Sequence, residues 1–244
     1  MKLLIGILIC VTAASASVQP LICFPHTSGT IPERRGQITY TTTFGIALAQ
    51  FASKSDVNHI LEIGTWYGGG STDVMAKTLN KKDTCLSSDT HHCCSAYIVT
   101  FEVYEPAWEY AARYLQNDPV WLILGTTVGV EDMLKPQDVP NKDQHYQLYY
   151  ERDRAIMASQ QPKLEGICRS HKFDLALIDG NEYTGWGEFV IVRDVCKPKY
   201  IALHDTNTLK THKIETYMRS HPDQFNLIQK GCDEACWAIY LLIS

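Results

Sequence analysis

From His59 onward, short apolar runs alternate with longer segments whose apolar residues recur at helical spacing. The short runs are His59–Ile63, Ala96–Val103, Val120–Leu124, Phe173–Ile178, Lys199–Leu203, Phe225–Gln229 and Cys236–Leu242. Runs of this length, rich in β-branched and aromatic residues, predict strands. The segments between them predict helices over Asp73–Leu79, Ala107–Leu115, Gln144–Met157, Thr184–Val195 and Leu209–Arg219. A further helix is expected over Thr41–Ser53, where Phe44, Ala47, Leu48 and Phe51 share one face. Pro106 suits the first turn of the helix that it opens. Strands alternating with helices give a parallel sheet with right-handed crossovers. The last two strands are joined by a short turn, so they are expected to run antiparallel. Two stretches fall outside this rhythm. Ser17–Gln37, with Pro20, Pro25 and Pro32, is an irregular lead-in, and Lys81–Ser95 is a polar, cysteine-rich insertion. No internal repeat or second domain boundary interrupts the pattern.

The 244 residues suffice for one α/β domain, and 45% apolar with 20% charged residues is ordinary for a globular chain. A net charge of −5 gives no electrostatic basis for a nucleic-acid partner. At the N-terminus Lys2 precedes the apolar run Leu3–Val11 and then Ala14-Ser15-Ala16. That order predicts a secretory signal peptide over residues 1–16, leaving a single domain over 17–244 that is secreted or lies in the lumen of the secretory pathway. The run is too short for a stable membrane span, and no other segment qualifies, so no transmembrane segment is expected after cleavage.

The stretch between the first strand and its helix carries the first candidate chemistry. It reads Leu61-Glu62-Ile63-Gly64-Thr65-Trp66-Tyr67-Gly68-Gly69-Gly70-Ser71-Thr72. Gly64 and Gly68 let the backbone turn sharply and approach a ligand. Ser71 and Thr72 are placed to cap the free N–H groups of the following helix. The spacing, Glu-x-Gly-x-x-x-Gly, is neither the G-x-G-x-x-G of dinucleotide folds nor a P-loop, and no lysine follows the glycines. A carboxylate at the strand end suits a cationic or amino-bearing ligand better than a phosphate. The stretch resembles motif I of the class I S-adenosylmethionine-dependent methyltransferases. The resemblance implies that Glu62, Gly64, Thr65, Tyr67, Gly68 and Ser71 hold the amino-acid end of that cofactor.

Ligands of open α/β sheets bind beyond the carboxyl ends of the strands. The other strand ends here are Glu102, Gly125-Thr126, Asp179 and His204-Asp205. Glu102 can accept two hydrogen bonds from a ribose diol, as the matching acid does in the methyltransferases, with Tyr104 against the adenine. Phe173–Gly185 and Ile201–Asn207 are similar to a subgroup of sugar and small-molecule O-methyltransferases with Asp-Gly after strand four and His-Asp after strand five. The likeness runs from about Asn58 to the C-terminus. It implies a Rossmann-like, mostly parallel seven-stranded sheet with a C-terminal antiparallel hairpin and helices on both faces. It also implies S-adenosylmethionine as cofactor and a carbohydrate or other small-molecule acceptor.

Some members of the subgroup bind Mg²⁺ at these positions, which makes Asp179, His204 and Asp205 candidate metal ligands. Two carboxylates suit Mg²⁺, and a histidine shifts the balance toward Mn²⁺ or zinc. A metal-free site is the alternative. The subgroup often carries Asp-Gly-x-His, whose histidine is the general base, but here that position is Glu182. The candidate catalytic residues are therefore Asp179, Glu182 and His204, with either Glu182 or His204 as base. Aromatics of the segment Gln144–Met157 make it a candidate lid over the acceptor. The methyl donor is made in the cytosol, so a secreted non-catalytic binding protein on the same fold is the rival reading.

Removal of Cys10 with the leader leaves eight cysteines. An even number in a secreted chain implies disulfides. His91-His92-Cys93-Cys94 with Cys85 is a possible zinc cluster, though the paired Cys-x-x-Cys spacing of structural zinc sites is absent. Cys168 and Cys196 each lie shortly before one of two strands expected to be neighbours, which places them at one sheet edge, within bridging reach. Cys232 and Cys236 flank the last turn. Cys85 then pairs with Cys93 or Cys94, and Cys23 with the remaining one.

Overall fold

The computed structural model describes residues 36–82, 96–116, 118–139, 144–233 and 235–243. The leader, most of the lead-in and most of the cysteine-rich insertion lie outside the described residues, as do Cys23, Cys85, Cys93 and Cys94 with the pairings expected of them. Seven strands form one sheet: β1 (His59–Ile63), β2 (Tyr97–Glu102), β3 (Val120–Leu124), β4 (Leu175–Ile178), β5 (Tyr200–His204), β6 (Phe225–Cys232) and β7 (Cys236–Leu242). Their order is β3-β2-β1-β4-β5-β7-β6. The first five are parallel, and β7 runs antiparallel to both β5 and β6. The order reverses between β1 and β4, so the carboxyl ends of these two strands face the crevice where open sheets bind ligands.

The helices are α1 (Thr43–Ala52), α2 (Ser71–Lys82), α3 (Glu105–Tyr114), α4 (Gln144–Ser159), α5 (Leu164–Ser170), α6 (Gly185–Ile191) and α7 (His212–Ser220). The central strands are buried on both faces, and their alternating side chains feed two cores. Ile60, Ile98, Leu175, Leu177 and Ala202 pack under α1 and α2 with Phe44, Leu48, Met75 and Leu79. Leu61, Val99, Ala176, Ile178, Ile201 and Leu203 pack on the opposite face with Leu164, Phe189, Ile214 and Met218 of α5, α6 and α7. Each fully buried Leu, Ile or Phe contributes about 1.5–3 kcal/mol. Thr42 caps α1 by accepting from the Gly45 N–H at 3.2 Å. Phe44 lies stacked between His204 and Trp237, with ring centroids 5.5 and 5.1 Å away.

The structure departs from the sequence expectations in three places. Helix α5 was not expected: its seven residues place only Leu164, Ile167 and Cys168 on the apolar side, too few for a helical period to show. The helix expected over Thr184–Val195 ends its regular turns at Ile191 and continues as a π-helical turn, Val192–Cys196, which Lys197 closes in the left-handed region (φ 48°). Strand β6 runs on to Cys232, past the end of its apolar residues, because backbone pairing with β7 continues to Cys232–Cys236 after a bulge near Ile228.

Disulfides join Cys168 to Cys196, tying α5 to the entry of β5, and Cys232 to Cys236 across the hairpin. None of the described helices is long and apolar enough to cross a membrane. The first bridge closes a loop with a sequence separation of 28 and the second one of 4. Chain entropy assigns them roughly 3.5 and 2 kcal/mol respectively. In urea denaturation, Cys168→Ser/Cys196→Ser should therefore lose more stability than Cys232→Ser/Cys236→Ser. The opposite order would show that loop closure does not govern their contribution.

Candidate functional site

On β1, Ile60 faces α1 and α2, so the two-residue period turns Glu62 to the same side, toward the start of α2. Glu62 is fully buried there. Its carboxylate accepts from Ser71 Oγ (2.6 Å), Thr72 Oγ1 (2.6 Å) and Thr100 Oγ1 (2.7 Å). Burial pushes its pKa up to about 7, against the pull of the three hydroxyls. The hydroxyls expected to cap α2 thus donate to Glu62, because a buried carboxylate needs donors. The residue clamps β1, β2 and α2 together beneath the glycine loop and is not on the wall of the cavity above.

Past Glu62 the backbone turns at Gly64 (φ 98°), where a Cβ would come within 2.2 Å of the Asp179 carbonyl oxygen. Gly68 (φ 82°) makes the second turn. Between them Trp66 holds a left-handed conformation (φ 54°), which costs about 1–3 kcal/mol in a residue with a Cβ. Its N–H donates to Glu102 Oε2 at 2.7 Å, and the Tyr104 N–H donates to Oε1 at 2.8 Å. Glu102 is therefore fixed by two backbone bonds that leave outer lone pairs toward the cavity. Burial raises its pKa to about 7.

The cavity measures about 630 Å³ and opens over the carboxyl ends of β1 to β5. Gly64, Thr65, Gly68, Ser71, Glu102, Asp179, Glu182 and Asp205 of the expected site all line it. Thr65 is held by Thr100 Oγ1 at 2.7 Å and donates to the Phe101 carbonyl at 3.0 Å. Glu182 accepts from Thr208 Oγ1 at 3.0 Å. Three other expected residues are not on the wall. The Tyr67 ring packs edge-on against Trp66 and Tyr110. The Tyr104 ring is covered by the Arg152 guanidinium, 4.7 Å from its centroid. His204 is buried beneath the site against Phe44. Helix α4 contributes Tyr149, Arg152, Asp153 and Met157 to the wall, whereas its Tyr150 packs against Tyr183 in a small core beside it.

A charged cluster sits where β4 and β5 end. His204 Nδ1 lies 2.9 Å from Asp179 Oδ1 and 3.4 Å from Asp205 Oδ2. These three residues could present ligand atoms to a metal within 4.8 Å of one another. Lys210 already bridges the two carboxylates, with Nζ 2.9 Å from Asp179 Oδ1 and 2.7 Å from Asp205 Oδ2. As arranged, the set does not fit a divalent ion unless the ammonium leaves. Burial alone would push Asp179 up, but the Lys210 charge and the His204 bond outweigh it and hold the carboxyl below the usual range. Burial likewise opposes charge on His204, yet the bond to Asp179 and the charges of Asp179 and Asp205 raise its pKa. Asp205 adopts φ 56°, a second left-handed residue at the cavity edge.

Sequence reasoning missed Lys210, Asp153 and Glu188, all of which line the cavity. Lys210 fell in the helix expected over Leu209–Arg219, with no role assigned to it. The one available signal was electrostatic, since two adjacent strand-end carboxylates require a cation. Glu188 is fully buried, with Oε1 accepting from Thr127 Oγ1 (2.6 Å) and Thr184 Oγ1 (2.9 Å), and burial raises its pKa to about 7. Its Oε2 and the hydroxyl of Thr126 are buried without a hydrogen-bond partner among the described residues. Unpaired polar atoms on a cavity wall are places for a ligand's polar groups. The cavity therefore presents to an occupant a glycine loop, a carboxylate fixed by backbone bonds and unpaired polar atoms deeper in.

No family model and no curated protein matches the sequence. Solved structures do match. The O-methyltransferase from Bacillus cereus in complex with SAH is 16% identical, with a TM-score of 0.50 over 85% of this chain and 84% of that one. Cofactor-bound Rv0187 from MTB is 16% identical, with a TM-score of 0.54 over 86% and 84%. TomG from Streptomyces achromogenes, an O-methyltransferase involved in tomaymycin synthesis and solved with SAM, is 15% identical, with a TM-score of 0.52 over 85% and 82%. The chain shares the Rossmann-like fold of the class I methyltransferases.

The clamp at Glu62 carries a pH test. Its folded pKa, about 7, lies above its ordinary 4.5. Its contribution to stability is therefore fully present below 4.5 and lost as pH rises through 7, a change of about 3 kcal/mol. Glu62→Gln cannot ionise, so its deficit relative to wild type should shrink or reverse between pH 5 and pH 8 in thermal melts. A constant deficit across that range would show that Glu62 is ionised throughout.

Proposed function

We propose that the chain is an S-adenosylmethionine-dependent methyltransferase acting on an oxygen of a carbohydrate or other small molecule, in the secretory pathway or outside the cell. The observation that carries the reading is Glu102. Its carboxylate is oriented by the Trp66 and Tyr104 N–H groups and faces a cavity walled by the glycine loop. Such a carboxylate is preorganised to accept from a ribose diol. The backbone at Gly64 and Gly68 admits the amino-acid end of the cofactor, and Thr126 and Glu188 offer acceptors to further polar hydrogens. The leader over residues 1–16 and the two disulfides favour an extracytoplasmic site of action.

The bound cofactor supplies a methyl group already activated on a sulfonium, so the chain's task is to position the acceptor and receive its proton. Glu182 is the candidate base on the cavity wall. It accepts from Thr208 Oγ1, and it makes no ion pair with Lys210 among the described residues. In this reading Asp179, on the cavity wall, orients Lys210, and His204 fixes Asp179 from below. The cover of α4, with Tyr149 and Met157 on the cavity side, limits the acceptor to small molecules and keeps water from the reacting oxygen.

Isothermal titration with S-adenosylmethionine and its demethylated product tests the proposal. Wild type should bind both, and Glu102→Ala should weaken binding by about 1.5–3 kcal/mol, the worth of hydrogen bonds to a charged group. A folded wild-type sample giving no heat with either ligand would sink the methyltransferase reading.

A further inference from the structure

We propose that Lys210 is the resident cation of the Asp179–Asp205 pair, and that the site holds no divalent metal. The ammonium lies 2.9 Å from one carboxylate and 2.7 Å from the other, so the oxygens that would ligate a metal already share a positive charge. A divalent ion on the same oxygens would sit beside that ammonium and be repelled by it. The nitrogen donor is committed as well. His204 Nδ1, the ring nitrogen that faces both carboxylates, lies 2.9 Å from Asp179 Oδ1; a nitrogen at that distance from a carboxylate oxygen carries a proton, so Nδ1 has no lone pair for a metal held between them.

Lys210 is not a swinging arm that could step aside. Its side chain is 12% exposed. Its backbone is pressed between α6 and the end of β5. A Cβ on Gly185 would come within 2.1 Å of the Lys210 carbonyl oxygen, so only glycine lets α6 start there. The Lys210 N–H donates to Thr208 Oγ1, and the Thr211 hydroxyl donates to the His204 carbonyl, which pins the loop on both sides of the lysine. Asp205 is held at φ 56°, a strained conformation that aims its carboxylate at the ammonium. Two of the three ammonium hydrogens are thereby used. The third serves an occupant of the cavity that Lys210 lines, which would meet a fixed monocation in place of a metal. Together Lys210 and His204 meet the two carboxylates with two nitrogen donors where the metal-dependent arrangement would use one dication.

The inference does not require that methyl transfer occur, and its test uses no cofactor. Mn²⁺ is titrated into the full chain up to about 1 mM and followed by electron paramagnetic resonance, with Asp205→Asn as the reference for surface binding. Wild type should show no Mn²⁺ binding that Asp205→Asn removes. Lys210→Ala should gain one such site, at least about tenfold tighter than anything in wild type, and Asp205→Asn in that background should abolish it. Wild-type Mn²⁺ binding lost on Asp205→Asn would overturn the proposal without any lysine variant. A folded Lys210→Ala, or Lys210→Met if the alanine variant fails to fold, that gains no site would overturn the role given to Lys210.

Discussion

The structure depends on the placement of a carboxylate, Glu62, in the interior with no cation among the described residues to pair with it. Three hydroxyls compensate, and they come from three different segments: Ser71 and Thr72 at the start of α2, and Thr100 on β2. Satisfying that one group fixes where α2 begins relative to β1 and how far β2 lies from both. The distance between them is the width of the glycine loop. Glu102 repeats the device one strand over, drawing the Trp66 and Tyr104 N–H groups to one carboxylate and holding Trp66 in a conformation that it would not adopt alone. The cavity is thus shaped by two acids that gather donors around it, Glu62 beneath its wall and Glu102 on it.

A third constraint acts where β1 and β4 diverge. Gly64 passes so close to the Asp179 carbonyl that no side chain fits, and this contact brings the glycine loop against the charged cluster at the ends of β4 and β5. The glycine loop and the Asp179–His204–Asp205–Lys210 cluster therefore share a wall. Under the proposed methyl transfer, that adjacency would put donor and acceptor on either side of one strand end. The lysine changes the character of the acceptor side, because a fixed ammonium offers one directed hydrogen where a metal offers several coordination positions.

Much of this was legible in the sequence for identifiable reasons. The central parallel strands announce themselves as apolar runs, and the short turn between the last two runs marks the antiparallel hairpin, so the seven strands and the carboxyl-end cluster could be read directly. Gly64, Thr65, Gly68, Ser71, Glu102, Asp179, Glu182 and Asp205 fall on the cavity because strand ends and the turns after them must face it. Orientation was harder to read. Glu62 and His204 sit at strand ends too, but the two-residue period turns both side chains toward the α1 and α2 face, away from the cavity. Glu188 and Lys210 fell inside segments read only as helices, with no role assigned to either. Their burial follows from what packs on them, which local periodicity does not encode. Helix α5 escaped notice because it is two turns long and stitched to its neighbour by Cys168.

The account stands on the claim that the glycine loop and Glu102 hold one ligand between them. The most direct measurement is a crystal structure of the protein soaked with S-adenosylhomocysteine. The account predicts density for the ribose hydroxyls within hydrogen-bond distance of Glu102, and for the amino-acid end along Gly64–Gly68. A well-ordered, saturated crystal with both positions empty, or with the ligand bound elsewhere, would contradict it.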